Sequence, residues 1–160
     1  MTKDFNKESN IELDIELNVE LIKEQPSLSK TNTVKNNLAK AEAQYLDAMK
    51  QAVIDAIEDI KGFDVTVMDV RKLTSLTNYM IVASATSTRQ AKAIADNVRE
   101  QMKEKGYHIR GTEGEKEGEW VLVDLDDIVV HIMVPATRAY YNLEQLWTEG
   151  EARRSHIKPI

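Results

Sequence analysis

The spacing of apolar residues changes period along this chain, and neither an all-helical nor an all-strand fold can satisfy both periods. Leu46, Met49, Val53, Ile57 and Ile60 recur at steps of three and four, which places them on one face of a helix over residues 43–61. Gly62 follows and is read as its left-handed stop. Residues 64–70 (DVTVMDV) and 78–85 (NYMIVASA) are instead β-branched and apolar over strand length, separated by the polar turn RKLTSLT. Ser87 and Gln90 stand at capping-box spacing ahead of a second helical stripe, Ala91, Ile94, Ala95, Val98 and Met102, which runs up to Gly106. A short strand is expected at 107–110 and a polar loop at 111–119. Residues 120–125 and 128–134 then read as strands joined tightly at Asp126 and Asp127, an antiparallel hairpin. Pro135 opens a final helix carrying Tyr140, Leu143 and Leu146. The predicted order, αββαβββα, implies an α/β fold in which helices pack against a mixed sheet.

With 160 residues and 42% hydrophobic content, the chain can bury one good core and is too short for two ordinary domains. The expected division is a polar extension over 1–42, a globular domain over 43–148 and a tail over 149–160. Within the extension, Ile11, Leu13, Ile15, Leu17, Val19 and Leu21 alternate with mostly acidic residues, a period of two. A disordered acidic tail and a strand added at an edge or induced by a partner are both open readings of that segment. The formal net charge of -6 disfavours direct binding to phosphate backbones, whose affinity comes from Lys and Arg displacing counterions, and suits a basic protein surface better. The sequence has no cysteine, which excludes disulfides, thiolate nucleophiles and thiolate metal sites. The polar N-terminus lacks a signal-peptide core, and no apolar run approaches the length of a membrane span, so a cytoplasmic location is expected.

The most enzyme-like feature is Asp124 and Asp126 at the end of a strand, with Asp127 beside them. Paired carboxylates there could hold Mg²⁺ for nucleotidyl transfer. Such enzymes grip the triphosphate on a Gly-Ser pair at a helix start, and the nearest equivalent, Gly111-Thr112, sits in an acidic loop with no helix behind it. Turn formation explains the same aspartates without a metal. His108, His131 and His156 share no ligand spacing, and mid-strand His131 reads as a half-buried, hydrogen-bonded histidine. Ser84, Thr86, Ser87 and Thr88 surround a strand-to-helix turn that could bind an anion, although capping alone accounts for Ser87. Arg153, Arg154 and Lys158 cluster only near the C-terminus, without interleaved aromatics, which gives little basis for nucleic-acid binding. Trp120, which starts a strand after a charged loop, is either core or an interface anchor. No catalytic residue, cofactor or metal site is assigned.

Three segments, residues 69–96 (DVRKLTSLTNYMIVASATSTRQAKAIAD), 118–135 (GEWVLVDLDDIVVHIMVP) and 138–147 (RAYYNLEQLW), resemble the ribosome-silencing-factor, or Iojap, family in the same order and spacing. The resemblance spans about residues 45–148. Asp126 stands where the family has Gly, and Ala85 where Gly is common. The resemblance implies a nucleotidyltransferase-like fold without the catalytic apparatus. It implies a non-enzymatic protein that binds ribosomal protein fourteen of the large subunit, bars the small subunit sterically and so represses translation under nutrient limitation. It also implies a homodimer off the ribosome and no membrane partner. Trp120, Leu125 and Asp127 match family positions implicated in partner binding; Asp124 and Asp126 join them through position and charge. On this reading Trp120 and Leu125 are apolar anchors and the aspartates face Lys or Arg of the partner. Tyr79 and the Arg71-Lys72 turn are the weaker candidates, since strand packing and a solvated turn explain them equally well.

Overall fold

The first helix, α1 (Leu28–Asp59), begins well before the residue 43 expected from the apolar stripe. The computed structural model describes the backbone of residues 28–156 and the side chains of 30–149; the alternating segment at 11–21 lies outside the described residues. Two compact units divide the chain, Met1–Gln44 and Tyr45–Ile160. In the first unit, the described side chains are all exposed, Val34 by 58% and Leu38 by 65%. No Gly or Pro interrupts residues 28–61, so nothing in the backbone chemistry ends the helix where its apolar stripe ends.

In the second unit, α1 stops as expected but by a different residue. The left-handed position belongs to Lys61, at φ 62°, while the Gly62 N–H donates to Ile57 O at 2.9 Å and the Lys61 N–H to Glu58 O at 2.8 Å. Gly62 is needed for room instead, because a Cβ there would meet Ile57 Cγ2 at 2.4 Å and Ile94 Cδ1 at 3.2 Å. The chain continues through β1 (Phe63–Asp69), β2 (Tyr79–Ser84), α2 (Thr88–Glu104), β3 (Gly111–Glu113), β4 (Trp120–Asp124) and β5 (Ile128–Met133). The short strand therefore falls at Gly111–Glu113, after the expected 107–110, because it pairs with β4 at Gly111↔Asp124, Thr112↔Val123 and Glu113↔Leu122. The final helix divides at Asn142, whose φ of 46° and ψ of 58° end α3 (Pro135–Tyr141) before α4 (Leu143–His156) begins. Asparagine visits this left-handed region more readily than other side chains.

The fold is mixed α/β. Five strands form one sheet in the order β1-β2-β5-β4-β3, with β2 and β5 parallel and every other neighbour antiparallel. One face carries the main core, where Leu46, Met49, Val53 and Ile57 of α1 and Ile94, Val98 and Met102 of α2 meet Ile81, Val123, Ile128, Val130 and Ile132. Both faces of β2 are buried, as its unbroken apolar run predicts. Ser87 caps α2, its hydroxyl accepting from Gln90 N at 3.1 Å. The Gln90 side chain accepts from Thr86 rather than from the capping residue, and its Nε2 donates to Ile60 O at 3.0 Å. That bond joins the start of α2 to the end of α1. The opposite sheet face holds a smaller cluster, Val70, Met80, Val82 and Met133, covered by Leu143 and Trp147 of α4 and bordered by Trp120.

Candidate functional site

The β4–β5 hairpin carries the residues singled out in the sequence, and its pleat divides them. Val121 and Val123 are fully buried under the helices, so Trp120, Leu122 and Asp124 point to the other face, each partly exposed. Leu125 enters the main core and is 2% exposed. It offers no surface to a partner, which corrects its reading as an interface anchor: a tight turn that pulls its first residue inward leaves only the next two outside.

Those two are Asp126 and Asp127. The turn closes with Leu125 N donating to Ile128 O and Asp127 N to Leu125 O, both at 2.9 Å, and Asp126 lies between them at φ 65°. This is the left-handed backbone for which Gly is best suited, so Asp126 fits the turn at some conformational cost. Asp124 Oδ1 offsets it by accepting from Asp126 N at 2.9 Å. Asp126 Oδ2 meets His108 Nδ1 at 2.8 Å, and Arg110 approaches both carboxylates, at 3.6 Å from Asp126 and 4.0 Å from Asp124. These aspartates are thus partly neutralised by their own chain. Among the described residues no group of three or more His, Asp or Glu side chains is gathered closely enough to hold a metal ion.

Asp127 has a different job. Its Oδ1 accepts from Asn78 Nδ2 at 3.0 Å, and its carbonyl accepts from Asn78 N and Tyr79 N at 3.0 and 3.1 Å. The acidic turn is therefore pinned to the RKLTSLT loop, whose Leu76 is 84% exposed. Tyr79 is buried, with Lys50 Nζ 4.2 Å from its ring centroid and Arg71 at 5.2 Å. The Arg71 guanidinium binds Asp69 at 2.6 Å and holds its carboxyl below the ordinary range. Tyr79 is a strand residue rather than a docking one.

Trp120 stands at the far end of the hairpin, paired with Met133, about 14 Å along the strand from Asp124. The candidate residues thus fall into an acidic end and an aromatic end of the hairpin. At the aromatic end, Trp120 is half-buried, its ring centroid 4.9 Å from Tyr141 and 5.7 Å from His131. Its indole N–H donates to His131 Nδ1 at 2.9 Å. Tyr140, 83% exposed, meets Tyr141 edge-on at 5.0 Å. Arg138 sets this geometry by fastening α3 to the sheet: it donates to Asp64 O at 2.6 Å, Ser84 Oγ at 2.8 Å and Thr66 Oγ1 at 3.1 Å, and pairs with Glu144 at 2.7 Å. Ser84, read as an anion-site candidate, is committed to that bond and is 3% exposed.

Sequence reasoning missed Tyr140, Tyr141 and Arg138 as members of the site. The adjacent tyrosines at the end of a proline-started helix were the available signal, but helical period assigned that helix only a packing role. His131 is hydrogen-bonded as expected, and at 5% exposed it is more than half-buried. Burial pushes its imidazole down to about 4.

A family model described as ribosomal silencing factor during starvation matches residues 41–159. Curated relatives called ribosomal silencing factor RsfS include one from Chromobacterium violaceum, 51% identical over 102 residues, covering 64% of this chain and 84% of that protein. One from Bacillus subtilis is 37% identical over 95 residues, covering 59% of this chain and 80% of the relative. The chloroplastic protein Iojap of Zea mays is 37% identical over 92 residues, which is 58% of this chain and 40% of that longer protein. Among solved structures, a crystal structure of a Chromobacterium violaceum protein superposes with a TM-score of 0.63 at 51% identity, covering 64% of this chain and 85% of the other.

Proposed function

The chain belongs to the family of ribosomal silencing factors, and on that premise we propose that it binds the large ribosomal subunit through ribosomal protein fourteen and prevents the small subunit from joining. The observation that carries this reading is the family match over residues 41–159, which takes in every strand of the sheet and the helices α2, α3 and α4. The action is steric and non-enzymatic, exerted in the cytoplasm when nutrients are scarce, and off the ribosome the protein is a homodimer.

The chain's own residues fit a docking role. Trp120, Tyr141 and Tyr140 form a partly exposed aromatic cluster, the composition of an interface centre. Asp124, Asp126 and Asp127 add negative charge at the other end of the hairpin, and the chain's net charge of -6 favours a basic partner over bare phosphate. Aromatic anchoring supplies affinity while the acidic end guides orientation. Leu125 contributes by holding the turn in register from inside the core.

Co-sedimentation with separated subunits tests the proposal. The protein should pellet with large subunits, not with small ones, and should lower the yield of joined ribosomes when both are mixed. Equal binding to the two subunits, or to neither, would overturn it.

A further inference from the structure

The ring of His131 uses one nitrogen and leaves the other idle. An indole N–H can only donate, so His131 Nδ1, 2.9 Å from Trp120 Nε1, must be the bare acceptor and the ring proton must sit on Nε2. That Nε2 is buried and has no hydrogen-bond partner among the described residues. Leaving a buried donor unmet costs stability, and an apolar side chain would suit the middle of β5 better. The residue is therefore poorly explained by folding alone. What the imidazole does achieve is to hold the indole: its hydrogen bond fixes one edge of Trp120 while Tyr141 packs at a tilt against the ring, centroid to centroid 4.9 Å. Protonation of Nδ1 would set two donors against each other and release the ring, so only neutral His131 can serve.

We propose that His131 is a positioning residue for partner binding, fixing the Trp120 indole in the orientation in which it docks. This rests on Trp120 being an anchor of the docking face. A pre-positioned anchor has already lost its rotamer freedom before contact, so freeing it should weaken binding by about 3- to 10-fold.

The test uses the full chain and isolated large ribosomal subunits, with the Trp120 indole N–H signal followed by NMR and distinguished from that of Trp147 through Trp147→Phe. His131→Leu should be at least as stable as the parent, should shift the Trp120 indole signal and speed its hydrogen exchange, and should weaken subunit binding. His131→Asn, whose side-chain oxygen lies near the place of Nδ1, should restore both signal and affinity. Stability and affinity moving in opposite directions is a pattern that a purely structural histidine would not give. An unchanged indole signal in His131→Leu, or a shifted signal with parental affinity, would overturn the inference. Trp120→Phe deletes the same bond from the other side and should weaken binding even if His131→Leu does not fold; parental affinity there would also overturn it. Trp120→Ala separates the two readings. If it binds normally, Trp120 is no anchor and the positioning role falls with it; if it loses binding while His131→Leu does not, the docking face stands and only the positioning role is lost.

Discussion

His131 also makes the fold sensitive to acid in a way that one substitution can isolate. Its imidazole, pushed down from 6.5 to about 4 by burial, stays neutral in the folded protein, while the unfolded chain takes up a proton below about pH 6.5. The stability it permits is fully present above pH 6.5 and is lost as pH falls through the window from 6.5 to about 4, by about 3 kcal/mol. His131→Leu should flatten that window in denaturant titrations, the carboxylates common to both chains cancelling in the difference; parallel curves would refute the assignment. Gly62 offers a second single-residue test. Its backbone is not left-handed, so Gly62→Ala carries no dihedral penalty, yet the added methyl would press on Ile57. A loss of about 1–3 kcal/mol is expected in thermal unfolding, the usual cost of overpacking a tight site.

Among the elements, α3 is held less by apolar burial than by one guanidinium, since none of its residues is buried while Arg138 reaches β1, β2 and α4. Arg138→Ala should cost about 2 kcal/mol and loosen Tyr141 from Trp120, read as a red shift in tryptophan emission. Unchanged emission would show that α3 keeps its place without the arginine. The sequence made the hairpin, α2 with its cap, β1 and β2 legible, because each is marked by local chemistry: an Asp-Asp turn between apolar runs, a Ser-Gln pair, β-branched runs. It did not reveal where α1 begins, since residues 28–42 carry no apolar stripe and no breaker. It placed the left-handed stop at Gly62 because glycine is the usual choice, whereas Lys61 takes that position and Gly62 is kept for space. At the site, Trp120 and the aspartates were visible one by one. That they stand at opposite ends of a strand, with Leu125 turned inward, follows from the pairing register, as does the link between Trp120 and His131 across two strands.

For the whole molecule, charge should govern how fast the partner is met. With a net charge of -6 and an acidic turn at one end of the hairpin, association with a basic surface should slow as salt rises and screening shortens the reach of the field. Asp127→Lys should slow association most at low salt and leave a folded protein, because it removes the carboxylate's bond to Asn78 Nδ2 but keeps the Asp127 carbonyl that holds Asn78 N and Tyr79 N. Equal association rates for the two proteins at low salt would remove the acidic turn from the encounter. The parallel pairing of β2 with β5 bears on a different stage of the protein's life, its synthesis. Asn78 and Asp127, which join the two strands at their starts, are 49 residues apart. At about 5–20 residues per second, β2 emerges on the order of 2–10 s before the strand that will cover its edge exists. During that interval β1 can shield one side only, and an apolar strand with an open row of amide groups waits as a target for chaperones or for a neighbouring nascent chain.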